Sequence, residues 1–597
     1  MYLSNLKLWN FRKFGSESFD IENPDLDLDF NRTLNILVGE NDSGKTAIID
    51  AIKIVLKTHS YEWIRVTDDD FYNGSERFRI EFIFKGLEDE EAKYFTEWLS
   101  WEGEGEEAEP FLKIIYDVTR TSERILPADV RAGSDEVGKP ISAEARYHLK
   151  TTYLKPLRDA ESELIPKRYS RLSQILKEHE IFKDEENHYL LRTFKEFNDT
   201  IASYFGKENI EDDNQEEKEE EDKVKDKVKE KEKKNTPSED NEGKIITDVI
   251  NEFIKGFYDK DSKVTFKTAE ANLKSILENL ELSILDIHNP GLGTLNRLFM
   301  AAELLHLNKS NWNGLRLGII EEIEAHLHPQ VQMKVIETLK KQDDIQLILT
   351  THSPNLASKI NLKNLIICKD QNAFPMGSNY TELDSDNYRF LEKFLDVTKA
   401  NLFFAKGLIL VEGWSEEILV PSLAKKTGYD LTENEVSVIN VGNLGFANYY
   451  KIFLRRNGPQ LNIPISIISD VDVREYEKEN DNIKKIDEAK YKEKCLAEKE
   501  KSENKIKKYS PKDDNGEITQ EIIKPFISKE WTLEWCLFKS NALGEVFKKI
   551  VTDVHPQMDE DDFEKELAWK LLPGKKLAKT KIAYKYSRKF GSIKSQY

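Results

Sequence analysis

The chain has 597 residues, of which 39% are apolar and 33% charged, with a formal net charge of −21. At ~100–200 residues per domain this is too much for one core, and two or three units are expected. No apolar run approaches the ~20 residues of a membrane span, and three scattered cysteines (Cys368, Cys495, Cys536) exclude a disulfide framework and form no CxxC metal pattern. The first ten residues lack a long apolar segment, so no signal peptide is expected, and the reading is a cytoplasmic, reducing compartment. The acidic balance argues against a passive DNA-coating protein, but not against a nucleic-acid enzyme whose basic surface is confined to one place.

In chain order, residues 1–9 (MYLSNLKLW) alternate like an exposed strand. Residues 34–38 (LNILV) read as a buried strand leading into Gly39-Glu-Asn41-Asp-Ser43-Gly44-Lys45-Thr46, and apolar residues at 48, 49, 52 and 55 then predict a helix over 46–56. A strand, a glycine-bounded loop closing on Lys-Thr and a helix form the P-loop context. Backbone N–H groups and the helix N-terminus cradle phosphates, Lys45 supplies a point charge to the β/γ phosphates, and the Thr46 hydroxyl ligates Mg²⁺. The expected ligand is ATP. Residues 78–84 and 111–118 read as strands, and 162–204 as charged helices. Residues 211–234 are almost entirely Glu, Asp and Lys, with too few apolar side chains to offset the entropy of ordering; 207–245 is taken as a disordered insertion.

Residues 289–296 (Asn-Pro-Gly291-Leu-Gly293-Thr-Leu-Asn) read as a glycine-rich turn before an apolar helix, 298–307. Three further apolar runs, 315–320, 345–349 and 365–367, are of the buried parallel-strand type. The first ends in two carboxylates: Glu321 suits a Mg²⁺ shell, and Glu322 suits polarising water. The pair also reads as solvated acids at a strand end. His326 and His328 lack a third zinc ligand. The second run delivers His352 at a strand's C-terminal end, where ligands sit in open α/β sheets, as a γ-phosphate sensor.

A new α/β pattern begins near Gly407. Glu412 and Glu416 follow one apolar strand across a Gly turn, and Asp470 and Asp472 end another. Residues i and i+2 of a strand share a face, so the two aspartates are expected to converge. Were the strands neighbours, four carboxylates would meet; hard divalent cations neutralise such a cluster, and two of them support phosphodiester cleavage. Singly, each motif also reads as surface acid. Residues 474–514 are rich in Lys and Glu and predict an exposed helical insertion. Residues 575–594 carry eight Lys or Arg, no acid, and interleaved aromatics; a solvated helix face is the bland alternative.

Together, the P-loop, the Glu321-Glu322 strand end and His352 resemble the ATPase head of the SMC, RecF and ABC group. The resemblance implies that Gly291 and Gly293 lie in the signature loop, which contacts ATP on a partner head, although the usual serine is missing. The Glu412–Asp472 set resembles a TOPRIM domain. That likeness implies that Glu534 is a further metal ligand and that Lys579, with Lys581 as rival, stabilises charge at the cleaved phosphate.

An interrupted ABC-type ATPase followed by TOPRIM resembles the OLD (overcoming lysogenization defect) family of nucleases. Asn10-Phe-Arg12-Lys-Phe14 and residues 153–159 share in the likeness. The expected fold is α/β: an ABC-type head, 1–160 and 286–395, with an inserted helical dimerisation arm, 161–285, followed by a Rossmann-like TOPRIM domain, 396–597. The resemblance implies ATP-controlled DNA cleavage with Mg²⁺ or Mn²⁺, two ions in the TOPRIM site; homodimers or higher assemblies; anti-phage defence; and, in some relatives, a helicase or retron partner. The alternative is a RecF/SMC-like repair or chromosome-organising ATPase with a non-catalytic TOPRIM unit.

Overall fold

The computed structural model describes all residues except 61–63, 104, 106–107, 123, 156–159, 185–186, 205–241, 255–271, 286, 308–311, 313, 443–444, 480–481, 509–521, 560, 573–574 and 593–597. Most of the 207–245 insertion and residues 156–159 of the OLD-like segment therefore lie outside the described residues. The chain divides into two compact units, Met1–Arg158 with Asn313–Tyr597, and Asp159–Trp312. No described helix is long and apolar enough to cross a membrane.

The first unit contains an antiparallel sheet in the order Leu26–Asp29, Tyr2–Trp9, Arg77–Lys85, Glu109–Thr119, Val130–Ala132, Lys139–Pro140. The strand Tyr2–Trp9, expected to be exposed, is instead an interior strand. It pairs on both edges, and a register shift between Leu3 and Asn5 lets Leu3, Leu6 and Leu8 all point into the core. Alternation was misleading because the bulge breaks the period of two.

A second sheet runs Asn372–Pro375, Leu365–Lys369, Leu34–Val38, Gln346–Thr351, Leu317–Ile320, Thr152–Leu154, parallel except at its first strand. Leu34–Val38, Gln346–Thr351 and Leu317–Ile320 are buried along their whole length, as parallel strands covered on both faces must be. The helix Lys45–Leu56 packs Ile48, Ile49, Ile52 and Val55 into a core shared with both sheets. Gln346 ties the sheets together: its amide accepts from Leu3 N at 2.8 Å and donates to Leu3 O and Asn31 O at 2.8 and 2.9 Å.

The C-terminal part has a four-stranded parallel sheet, Val436–Asn440, Gly407–Val411, Ile465–Ser469, Ile523–Ile527. Helices Leu533–Lys539, Gly544–Val554, Phe563–Leu571 and Lys579–Ser592 gather round Trp531, Trp535, Phe547 and Tyr586. The 474–514 insertion is not helical throughout. Tyr476–Glu479 and Asn482–Lys485 form a hairpin before the helix Glu488–Lys507, and 509–521 lie outside the described residues. Tyr476 explains the difference: it is buried against Trp535, and its hydroxyl donates to Glu564 at 2.8 Å, so tertiary contacts override the local charge pattern.

The second unit is helical: Ala160–Leu164, Arg171–Glu178, Tyr189–Tyr204, Glu242–Ile254, Leu273–Glu278 and Leu292–Leu307. It extends past 285, taking in residues assigned from sequence to the ATPase half. Arg171 and Glu303, both buried, form a two-pronged ion pair at 2.7 and 2.8 Å. The glycine-rich turn is shorter than expected. The helix starts at Leu292, where Thr294 N and Leu295 N both donate to Gly291 O, so Gly293 and the buried Asn296 are helical.

Candidate functional site

Two clusters of polar side chains lie at C-terminal strand ends of the first unit. At the first, the buried strand Leu34–Val38 runs into Gly39, where a Cβ would stand 2.4 Å from the Cys368 carbonyl oxygen. Gly44 has φ +105°, a conformation that favours glycine. Lys45 is buried, and its Nζ donates to Gly39 O at 2.9 Å, to Ser43 Oγ at 3.1 Å and to Glu40 O. Burial lowers its pKa. One cavity is lined by Asn41, Ser43, Gly44, Lys45, Thr46, Glu321, Glu322 and His352, together with Arg12, Lys13 and Thr350.

Glu321 Oε1 accepts from Tyr153 OH at 2.8 Å, and burial raises its pKa. Lys53 lies 3.8 Å from the centre of the Tyr153 ring and donates to Asp50 at 3.0 Å; Asp50 also pairs with Arg12. Arg12 in turn donates to Asp70 at 2.9 Å. Glu322 adopts φ +43°, and its N–H donates to Thr350 Oγ1 at 2.9 Å. His352 N donates to Glu324 Oε1 at 2.6 Å. Burial, then the charge of Lys45, lowers the His352 pKa, favouring a neutral imidazole near pH 7. Cations, a helix N-terminus, a hydroxyl and carboxylates on one cavity suit a nucleotide with its divalent ion. Gly291 and Gly293 belong to the other unit and are not among the residues gathered here. His328 caps the helix Pro329–Leu339 through its ring nitrogen, and His326 is exposed.

At the second cluster, Gly407–Val411 and Ile465–Ser469 are direct parallel neighbours, so Glu412 and Asp470 emerge side by side. Glu412 Oε1 accepts from Ser469 Oγ and, at 3.3 Å, from Asp470 N. Glu416 comes from the first turn of the helix Trp414–Lys426. Asp470 and Asp472 do not converge by strand alternation. The strand stops at Ser469, and Asp472 reaches the same cavity through a left-handed φ of +56°. Such a φ in a residue other than glycine is uncommon.

Glu412, Glu416, Asp470, Asp472 and Lys579 all line this cavity. Glu534 is buried behind it, 2.9 Å from Lys579 Nζ, and its Oε1 finds no hydrogen-bond donor among the described residues. Asp470 Oδ1 accepts from Leu533 N at 2.8 Å. Burial, then the charges of Glu534, Glu412 and Glu416, push the Asp470 carboxyl up to about 8 against the pull of Lys579. Burial likewise raises Glu412 and Glu416. The Lys579 pKa is raised, with Glu534, Asp470 and Glu416 outweighing the lowering effect of burial. Lys581, the rival, is exposed and does not line the cavity.

Four carboxylates thus line the cavity with Lys579, a fifth, Glu534, pairs with Lys579, and Arg474 stands at the wall. A hard cation would relieve both a carboxyl raised by burial among other carboxylates and a buried oxygen without a donor, so the donor set fits divalent metal. Sequence reasoning missed Arg474, Ser469, Thr532 and Thr580 at this site, and Thr350 and Glu324 at the first. None belongs to a motif; only the Asp-Val-Asp-Val-Arg spacing hinted at Arg474.

Two family models match the chain. Residues 1–357 match the model of the AAA ATPase domain, and residues 403–472 match the overcoming lysogenization defect protein-like TOPRIM domain. The chain is 22% identical to endonuclease GajA of Bacillus cereus (strain HuB5-5), over 95% of this chain and 92% of that protein. It is 30% identical to the OLD nuclease of Thermus scotoductus (strain ATCC 700910 / SA-01), over 22% of this chain and 27% of the relative. Among solved structures, an SMC head bound to the C-winged helix domain of ScpA is 14% identical with a TM-score of 0.33, covering 62% of this chain and 96% of that one. Both matched domains imply the use of nucleotide and divalent metal. The chain belongs to the AAA ATPase domain family, with an OLD-like TOPRIM domain behind the ATPase part.

Proposed function

We propose that this protein is a DNA endonuclease, dependent on Mg²⁺ or Mn²⁺ and controlled by ATP at its P-loop. The observation that carries the reading is the gathering of Glu412, Glu416, Asp470, Asp472 and Glu534 around Lys579. Glu412, Glu416, Asp470 and Asp472 would hold the metal, with Glu534 in reserve beside Lys579. Bound there, a divalent ion supplies Lewis acidity and charge neutralisation at a phosphodiester.

The chain's own part is to orient and to exclude. Ser469 Oγ and Asp470 N fix the Glu412 carboxylate, while Leu533 N fixes Asp470. Lys579, held by Glu534, presents an ammonium where negative charge would build up on the scissile phosphate. At the other site Lys45, Thr46 and Glu321 would hold ATP and its ion, with Glu322 placed to polarise water and His352 to sense the γ-phosphate. The relatives' endonuclease and nuclease names support the reading, and the lysogenization name of the family supports a role in anti-phage defence. Dimers or larger assemblies of the chain are part of it.

The test is supercoiled plasmid incubated with the full chain and Mg²⁺ or Mn²⁺. Nicked or linear product that disappears with EDTA is expected; intact plasmid under both metals, with and without ATP, contradicts the reading.

A further inference from the structure

We propose that the exposed cationic face of the last helix is the track on which the DNA backbone approaches the acidic cavity. This rests on the nuclease reading above and names its substrate surface. The helix Lys579–Ser592 is cleanly divided: Ile582, Ala583 and Tyr586 are buried in the core, whereas Lys581, Tyr584 and Arg588 are exposed and Lys585 is half-buried. Positions 581, 585 and 588 follow i, i+4, i+7 spacing and so form one stripe. At 1.5 Å per residue the stripe is about 10 Å long. Duplex DNA presents one phosphate charge per ~1.7 Å of axis, so a stripe of this length meets several phosphates at once.

The helix that carries the stripe starts at the cavity. Lys579 and Thr580, which open the helix, line the cavity wall, as does Leu571, the neighbour of Lys570. Lys570 and Lys581, on separate helices, both lower the pKa of His555, after burial, and the His555 ring accepts from Ala578 N at 3.2 Å.

The absence of acids from the segment separates this surface from an ordinary solvated one. Among the described residues, Lys570, Lys575, Lys576, Lys581, Lys585 and Arg588 form no ion pair. Some lysines elsewhere in the same part do, such as Lys492 with Glu488, Lys501 with Glu498 and Lys565 with Asp562. Residues 575–594 contain no acid at all, in a chain of net charge −21. A solvated helix face normally mixes both signs. Uncompensated cations on the helix that opens at the acidic cavity match a polyanionic backbone.

The experiment compares the full chain with a triple variant, Lys581→Ala, Lys585→Ala and Arg588→Ala, binding a short DNA duplex in Ca²⁺ at about 50 to 200 mM salt. Loss of three phosphate contacts lowers the slope of log affinity against log salt by about 2–3 and weakens binding uniformly across sequences. Mn²⁺ binding and the unfolding temperature stay unchanged. A control triple, Lys492→Ala, Lys501→Ala and Lys565→Ala, removes the same charge from paired positions and leaves the slope alone.

An unaltered slope in the stripe variant, with wild-type protein binding and cleaving DNA, overturns this inference and leaves the nuclease reading standing. So does an equal drop in the control, or loss of Mn²⁺ binding along with DNA, which makes the stripe's effect general or structural. Wild-type protein that neither binds nor cleaves DNA overturns both.

Discussion

Glu412→Gln and Asp470→Asn each abolish plasmid cleavage, by about 10³-fold or more, while ATP binding persists. The magnitude follows from the several kcal/mol of charge stabilisation that a metal gives a phosphoryl transition state, at 1.36 kcal/mol per tenfold in rate. The substitutions are chosen to spare the fold. An amide oxygen at position 470 still accepts from Leu533 N, and one at 412 still accepts from Ser469 Oγ. Asp470 also carries a sign that a merely structural role would not produce. In the metal-free protein its raised pKa means that the native state binds more protons than the unfolded chain between about pH 4 and the value of about 8. Ionised Asp470 therefore destabilises the metal-free fold progressively as pH rises through that window. Asp470→Asn removes that penalty, so the metal-free variant unfolds at a temperature equal to or above wild type at pH 8, though it cannot cleave. A variant that melts lower and loses cleavage through misfolding would speak against this role; calorimetry beside the plasmid assay separates the two.

Lys45→Ala reduces ATP affinity by about 30-fold to several thousandfold, as expected for 2–5 kcal/mol lost with one member of a buried charge pair. The side chain is 5% exposed, and its three acceptors, Gly39 O, Glu40 O and Ser43 Oγ, all belong to the phosphate loop. The ammonium thus sits inside the cradle that the phosphates would enter. Lys45→Arg does not rescue, because the planar guanidinium is too broad for a loop closed by Gly39 against Cys368 and Gly44 against Phe14. Calorimetric titration with ATP checks both variants. Because the acidic cluster lies on a different sheet, Mn²⁺ binding there is expected to survive Lys45→Ala, and what changes is the response of cleavage to ATP.

Much of the phosphate-loop strand and helix was legible because its signals are local. An apolar run, a glycine at a tight approach and a 3.6-residue period all act within about twenty residues. The neighbouring placement of the Glu412 and Asp470 strands was legible only as a condition, since parallel pairing joins segments whose intervening chain says nothing about register. Three features were hidden for physical reasons. Asp472 enters the cavity by a left-handed backbone turn, and nothing in an aspartate's neighbours announces a positive φ. The hairpin strands Tyr476–Glu479 and Asn482–Lys485 are decided by Tyr476 meeting Trp535 and Glu564, contacts made across 59 and 88 positions, against a local pattern that favours helix. Gly293 lies within a helix although glycine ordinarily marks its end, because the chain turns earlier, at Asn289, φ +53°. The hold of Tyr153 on Glu321 is likewise a long-range contact between neighbouring strands.

The account depends most directly on metal at the carboxylate cluster. A crystal of the full chain soaked in Mn²⁺, recorded at the manganese absorption edge, tests it. Anomalous density bounded by Glu412, Glu416, Asp470 and Asp472, and lost in Asp470→Asn, is the predicted result. Those carboxylates in their present places with no anomalous density between them, at Mn²⁺ concentrations that fill the nucleotide site, would contradict it.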